Sequence, residues 1–280
     1  MTRTISEKTL GAFQKSLERE ERSEHTIGKY IRDVRAFASW AGGRAVTKEL
    51  VISYKERLQA KGYTPESVNT MLSSLNSLFR FLGWRDCRVR SLRCQRRLYC
   101  PEERELSRSE YERLVSAAER SQNKRLTLLL QTLCGTGIRV SELPYITVEA
   151  AERGEAVVNC KGKTRPVFLV KGLRRLLLAY ARRQGIQSGP IFVTRSGRPI
   201  DRTNVWREMK SLCRAAGVDP RKVFPHNLRH LFARVFYRLE KDLSKLADIL
   251  GHSSIETTRI YIISTGSEHR ARLERMRLVV

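Results

Sequence analysis

From Thr64 to Leu82, apolar side chains recur at helical spacing. Val68, Met71, Leu72, Leu75, Leu78, Phe79 and Leu82 fall on one stripe behind a Thr64-Pro65 start. A stripe that wide must be covered by other parts of the chain, and the preceding residues supply the cover. Leu10, Phe13 and Leu17 make a short stripe. Ile27, Tyr30, Ile31, Val34, Phe37 and Ala38 follow the i, i+3, i+4, i+7 pattern until Gly42-Gly43 stops them. Thr47 is placed to cap a third helix that runs to Gly62. Residues 1–84 are therefore expected to fold as a four-helix module.

The periodicity fails over residues 85–105. Arg85, Arg88, Arg90, Arg93, Arg96 and Arg97 face a single acid, Asp86, between 85 and 97, and the stretch reads as a basic interdomain linker. A second domain is expected over 106–280. Ser107 and Glu110 fit a capping box, and Leu106 with Tyr111 fits a hydrophobic staple. A buried helix at 124–135 follows, then two short strands, Glu155–Asn159 and Arg165–Val170, joined by a Lys-Gly-Lys turn. Further helices at 172–184 and 201–216, a short strand at Ile191–Thr194 and several short helices in the last 55 residues complete a mainly α, α+β chain with a small antiparallel sheet.

Charge narrows the function. Among 280 residues, 54 Lys+Arg oppose 29 Asp+Glu, a net charge of +25. The excess is not a tail, since residues 1–100 carry 20 basic and 10 acidic side chains. Such a surplus points to a polyanionic partner, nucleic acid first, and the linker arginines are candidates for its backbone phosphates. A hydrophobic fraction of 41% excludes a disordered basic chain. No apolar run approaches the ~18 residues of a membrane span and no secretory leader is evident, so a cytoplasmic, nucleoid-associated protein is expected. The six cysteines have neither paired C-x-x-C nor zinc spacing and read as free thiols.

Three local strings carry chemistry. In Gly135-Thr136-Gly137-Ile138-Arg139-Val140-Ser141-Glu142-Leu143, Gly137 ends the buried helix and Arg139 opens the next, either toward an anion or in a surface bridge to Glu142. In Pro225-His226-Asn227-Leu228-Arg229-His230, His226 and Arg229 share a helix face. An arginine forking two oxygens beside a proton-handling histidine suits a phosphodiester. In Leu250-Gly251-His252, the histidine precedes Tyr261 by nine residues.

Taken together and in this order, GTGIRVSEL, PHNLRHLFA and LGHSSIETTRIYI resemble the three signature boxes of the tyrosine recombinase (phage integrase) family, in a compact two-domain, Xer-like or mobile-element form. The resemblance covers nearly the whole chain. It implies a SAM-like core-binding domain over the first module and a catalytic domain over the second. It also implies a catalytic set of Arg139, His226, Arg229 and His252 with Tyr261 as nucleophile. The family's lysine lies on a β-hairpin turn, where Cys160-Lys161-Gly162-Lys163 stands. Lys161, before the glycine, is the choice; Lys163 is the alternative, with a phosphate contact as its other role. Arg165 joins the backbone-contact candidates.

The implied reaction is metal-independent and cofactor-free cleavage and rejoining of double-stranded DNA through a 3′-phosphotyrosine. It would be carried out by a homotetramer on paired recombination sites, with an accessory directionality protein as a further partner. The outcome would be integration and excision of a mobile element or resolution of chromosome dimers. A C-terminal helix at about 267–278, with Leu273, Met276 and Leu278 on one face, would dock into a neighbouring protomer. The alternatives are a type IB topoisomerase-like relaxer and a catalytically silent DNA-binding regulator. Pro144-Tyr145-Ile146-Thr147-Val148-Glu149 departs from the tryptophan and aspartate of many relatives, which puts the local strand geometry in question.

Overall fold

The computed structural model describes residues 3–94, 104–160, 163–252, 254–262, 270 and 273–276, with backbone alone at 160, 163 and 262. It divides into two compact units, Met1–Arg96 and Arg97–Val280.

Among its described residues the first unit holds four α-helices: α1 (Glu7–Arg19), α2 (Glu24–Ala41), α3 (Lys48–Ala60) and α4 (Pro65–Phe81). Each starts on a hydroxyl that accepts from the backbone three residues on: Ser6 from Thr9, Ser23 from Thr26, Thr47 from Leu50 and Thr64 from Ser67. Replacing such a cap by alanine costs ~1 kcal/mol. The stripe on α4 is the centre of the core, with Val68, Leu72, Leu75, Leu78 and Phe79 buried together with Phe13, Leu17, Val34 and Phe37. One acid lies inside. Asp33 of α2 accepts from Lys29 Nζ at 2.5 Å and from Ser74 Oγ of α4 at 2.8 Å.

Residues 85–93, expected as the start of the linker, pack onto this same unit. A 3-10 turn at Arg85–Cys87 buries the Cys87 side chain, Val89 is buried in the same cluster, and Leu92 lies at its edge. Their apolar side chains are too widely spaced to show a period, yet each finds a place on the helical core.

The second unit runs α5 (Arg108–Arg120), α6 (Lys124–Thr136), a 3-10 helix (Val140–Tyr145), α7 (Val148–Arg153), β1 (Glu155–Cys160), β2 (Lys163–Phe168), α8 (Lys171–Arg183), α9 (Arg202–Ser211) and α10 (Cys213–Ala216). A 3-10 turn at Pro220–Lys222 leads to α11 (Pro225–Glu240), α12 (Leu243–Leu250) and α13 (Ile255–Ile262). The capping box of Ser107 and Glu110 is present, and Asp201 caps α9. Helix α6 crosses the core with Leu126, Leu129, Leu130 and Leu133 buried on one stripe at i, i+3, i+4, i+7 spacing, and with Leu128 buried off that stripe.

The β1–β2 hairpin is antiparallel, pairing Glu155 with Phe168 through Cys160 with Lys163. That register turns Ala156, Val158 and Val167 into the core and leaves Val157 and Phe168 exposed. The strand expected at Ile191–Thr194 is not formed. This segment makes isolated bridges, Thr147 with Pro190 and Val193 with Pro199. Each bridge involves a proline, which lacks the N–H that a ladder needs. Ile191 and Phe192 are buried nonetheless, and that apolar run is what imitates a strand in the sequence.

The fold is thus mainly α with one small antiparallel sheet. Among the described residues no helix is long and apolar enough to cross a membrane. Of the expected C-terminal helix, Arg270 and residues 273–276 are helical, with Leu273 and Met276 exposed; the remainder, Leu278 included, lies outside the described residues.

Candidate active site

Two glycines set the geometry. Gly137 ends α6 at φ +65, and a Cβ there would stand 2.4 Å from the Phe232 ring of α11. Only glycine tolerates both the left-handed backbone and that approach. Its carbonyl then lies against α11 and accepts from Arg229 Nη1 at 2.6 Å. Gly251 ends α12 at φ +65, and a Cβ there would meet Arg165 Cδ at 2.5 Å. Its neighbours Leu250 and His252 both reach Arg229, through the Leu250 carbonyl at 2.6 Å and His252 Nε2 at 2.8 Å.

Arg229 is 1% exposed. All three of its acceptors are neutral groups, its Nε has no partner, and among the described residues no carboxylate pairs with it. Burial first, and the charge of Arg139 next, hold its pKa below the ordinary guanidinium value. A buried cation without a counter-charge is costly, and the arrangement is stabilised once an anion enters.

His252 is bonded at both nitrogens, with Nδ1 2.7 Å from Thr258 Oγ1. Arginine can only donate, so Nε2 accepts and Nδ1 carries the hydrogen toward Thr258. Burial, followed by the charges of Arg229, Arg139 and Arg165, pushes this imidazole down to about 4. His252 is therefore neutral at pH 7 and occupied at both nitrogens.

Tyr261, on α13, is buried at 6% exposure. Its hydroxyl lies 3.4 Å from His226 Nε2 and its ring stacks on His252 at 5.3 Å. His226 sits one turn before Arg229 on α11, with Pro225 at the first helical position. Desolvation by the protein packed against it, then the charges of Arg229 and Arg139, lower its pKa, which favours the neutral ring that can take a proton.

Arg139 precedes a 3-10 helix rather than an α-helix, which the proline at 144 helps keep short. It bonds Glu142 at 2.9 Å through Nη1, and its backbone N–H donates to the same carboxylate at 2.8 Å. This is no surface bridge, because Glu142 is 1% exposed. Arg165 of β2 reaches that carboxylate from the other side at 2.7 Å and donates to the Ile249 carbonyl at 2.8 Å. Arg165, expected as a backbone-phosphate contact, has its guanidinium bonded within the protein, with its side chain 11% exposed.

The structure brings together Arg139, His226, Arg229, His252 and Tyr261. Lys161 lies outside the described residues, and Lys163 is placed by its backbone alone at the start of β2. Arg85, Arg88, Arg90 and Arg93 are exposed on the first unit, while Arg96 and Arg97 lie outside the described residues. Two members of the site were not singled out from sequence, Arg165 in its interior role and His230, and Glu142 is expected there only as a surface partner of Arg139. The His230 ring lies 4.3 Å from Tyr261 and 4.8 Å from His226, and burial pushes it down to about 3. Its i+4 spacing from His226 was the available signal.

Residues 104–268 match the Phage integrase family, and residues 10–86 match the Phage integrase N-terminal SAM-like domain. A protein named tyrosine recombinase XerA, from Thermococcus kodakarensis, is 30% identical over 276 residues, covering 95% of this chain and 94% of its own. Tyrosine recombinase XerD of Caulobacter vibrioides is 32% identical over 270 residues, covering 88% and 87%. In fold, the chain resembles a lambda integrase crystallised as a tetramer bound to a Holliday junction. That likeness has a TM-score of 0.74 at 19% identity and covers 91% of this chain and 76% of the other.

Proposed function

Because this chain belongs to the phage integrase family and is a tyrosine recombinase, an enzyme of site-specific recombination, we propose that Tyr261 is its nucleophile and that Arg139, Lys161, His226, Arg229 and His252 serve it. The observation that carries this reading is Arg229: a guanidinium 1% exposed, without a carboxylate partner among the described residues, lying 6.0 Å from the Tyr261 ring. That is the electrostatic signature of a site built for an anion beside a phenol.

In the proposed step, Tyr261 Oη attacks a DNA phosphorus and forms a P–O bond to tyrosine. The bond from phosphorus to the 5′-oxygen breaks, and that oxygen leaves as a hydroxyl. The phenol proton passes to neutral His226, whose Nε2 is nearest to it. Arg139 and Arg229 hold the non-bridging oxygens and offset the charge that builds up on them. Lys161 protonates the 5′-oxygen. For His252 to donate to a phosphate oxygen through Nε2, that nitrogen must lose its bond from Arg229 and gain a hydrogen, by protonation of the ring or by a shift of its hydrogen from Nδ1. The 5′-hydroxyl of a second strand reverses the step and joins a new partner, so bond energy is conserved.

The working assembly is a homotetramer in the cytoplasm, on two sites in double-stranded DNA, with Arg85, Arg88, Arg90, Arg93, Arg96, Arg97 and Lys163 along the backbone. An accessory protein would set direction, and the outcome would be dimer resolution or movement of a mobile element. A randomised pool of singly nicked duplexes tests the chemistry. The protein should capture a subset as an adduct that survives denaturation, and Tyr261→Phe should capture none. An adduct of equal yield with Tyr261→Phe overturns the assignment. Lys161→Ala should slow capture severely, with a 5′-thio leaving group restoring it; rescue of Lys163→Ala instead would move the lysine's role to 163.

A further inference from the structure

The segment after the Arg85–Cys87 turn leaves it extended, with Arg88 at φ −69 and ψ 137, and among the described residues no strand lies beside it. Two side chains of α4 take a strand's place. Asn76 Nδ2 donates to the Val89 carbonyl at 2.9 Å, and Asn76 Oδ1 accepts from the Val89 N–H at 3.1 Å. Asn69 does the same for Leu92, donating at 2.9 Å and accepting at 2.6 Å. Lys55 of α3 donates to the Arg90 carbonyl between them at 3.0 Å.

The spacing is commensurate. Seven helical residues from Asn69 to Asn76 rise about 10.5 Å, and three extended residues from Val89 to Leu92 span about 10 Å. The side-chain amides therefore meet the segment in register, and Val89 goes into the core while Leu92 rests on it. What remains outward is Arg88, Arg90 and Arg93, all exposed and, among the described residues, none of them paired with a carboxylate.

We infer that Asn69 and Asn76 clamp residues 88–93 into a preformed strap whose arginines are an interaction surface for the phosphate backbone of duplex DNA. The asparagines position the strap and do not touch the DNA. The inference rests on the DNA-acting reading above and adds what orders the contact. Three arginines on a loose chain would each lose freedom on binding. On a strap already bonded at both ends, that cost falls before the DNA arrives.

The test measures binding of the full chain to a labelled 30-base-pair duplex across a salt series. Arg88→Ala/Arg90→Ala/Arg93→Ala should weaken binding and flatten the slope of log affinity against log salt by up to about 3, near one unit for each phosphate no longer neutralised. Asn69→Ala/Asn76→Ala keeps every charge. It should weaken binding about tenfold while changing the slope little. Weaker binding by the arginine variant, with none by the folded asparagine variant, overturns the clamp and leaves the DNA-acting reading standing. Full binding by both overturns the strap as a DNA surface, while adduct formation by Tyr261 still decides the DNA-acting reading. Hydrogen exchange on the unaltered protein covers the case in which the asparagine variant fails to fold. The Val89 and Leu92 amides should be equally protected with and without DNA, and protection that arises only on binding overturns the inference.

Discussion

Among the described residues each unit buries one carboxylate, Asp33 in the first and Glu142 in the second, and the two are built differently. Asp33 is bonded by Lys29, four residues before it on the same helix, and by Ser74 across the bundle. Lys29 keeps a quarter of its side chain exposed. Glu142 is enclosed completely, with Arg139 on one side, Arg165 on the other and a backbone N–H at its edge. The first acid ties two helices together and its cation can swing into water. The second holds two guanidinium groups beside an uncompensated Arg229, and it gives them direction as well as neutralising them. A buried ion pair that must aim a third group is a different object from one that fastens a bundle.

Four experiments would break or sharpen that contrast. The largest effect is expected for Glu142→Ala, which strands Arg139 and Arg165. It should cost about 3–5 kcal/mol in thermal or denaturant unfolding and lower adduct formation by at least about 100-fold. Asp33→Ala should cost only about 1–2 kcal/mol and leave adduct formation intact. Equal losses of both kinds in the two variants would erase the distinction.

Arg165→Met comes next. Its side chain links β2, the Glu142 carboxylate and the Ile249 carbonyl. Adduct formation should fall about 100-fold, while an Arg165→Lys variant should recover part of the rate, because an ammonium can keep a bond to the Glu142 carboxylate. A melting temperature that falls in step with activity, without rescue by lysine, would reduce Arg165 to a packing residue.

The third uses the glycines. Gly42→Ala in the first unit meets nothing within 4 Å, so only its φ of +59 is penalised, at about 1–2 kcal/mol, with no change in adduct formation. Gly251→Ala has the same backbone penalty and also drives a Cβ into Arg165, which must move away from Glu142. Activity should drop well beyond the stability loss. Calorimetry and adduct assays on the pair separate the two contributions.

The fourth test is a pH dependence. His252 is held down to about 4 and His230 to about 3 in the folded state, against an ordinary value of 6.5. Between those limits the unfolded chain binds more protons than the folded one, so stability rises with pH there. It should be undiminished above 6.5 and fall as pH drops from 6.5 toward 4. His230→Asn should make that fall shallower, as followed by thermal melts at each pH; an unchanged profile would remove His230 from the account.

Most of the first unit was legible because its rules are local. Thr47, Thr64 and Pro65 act within one helical turn, and the α4 stripe needs only its own spacing to declare a buried face. The three signature strings were equally plain, since each is a run of neighbours. What escaped was side chain meeting side chain across the chain. Arg165 read as one more basic residue until its Glu142 and Ile249 partners, 23 and 84 positions away, enclosed it. Asn69 and Asn76 carry no signal in the sequence, and the strap they hold shows no period because its order comes from them. Ile191–Thr194 misled in the other direction, apolar like a strand but bridged only through prolines.

By itself, the sequence determined the helical units, their caps, the hairpin, and the residue types available for handling a phosphodiester. Periodicity and capping are properties of residues within a few positions of one another. The tertiary structure alone decided which charges are buried and which remain free. It left Arg229 without a counter-ion among the described residues, enclosed Arg165, neutralised His252 and turned Arg88, Arg90 and Arg93 outward. Burial and desolvation depend on what packs against a group, and that is set by residues far away in the chain.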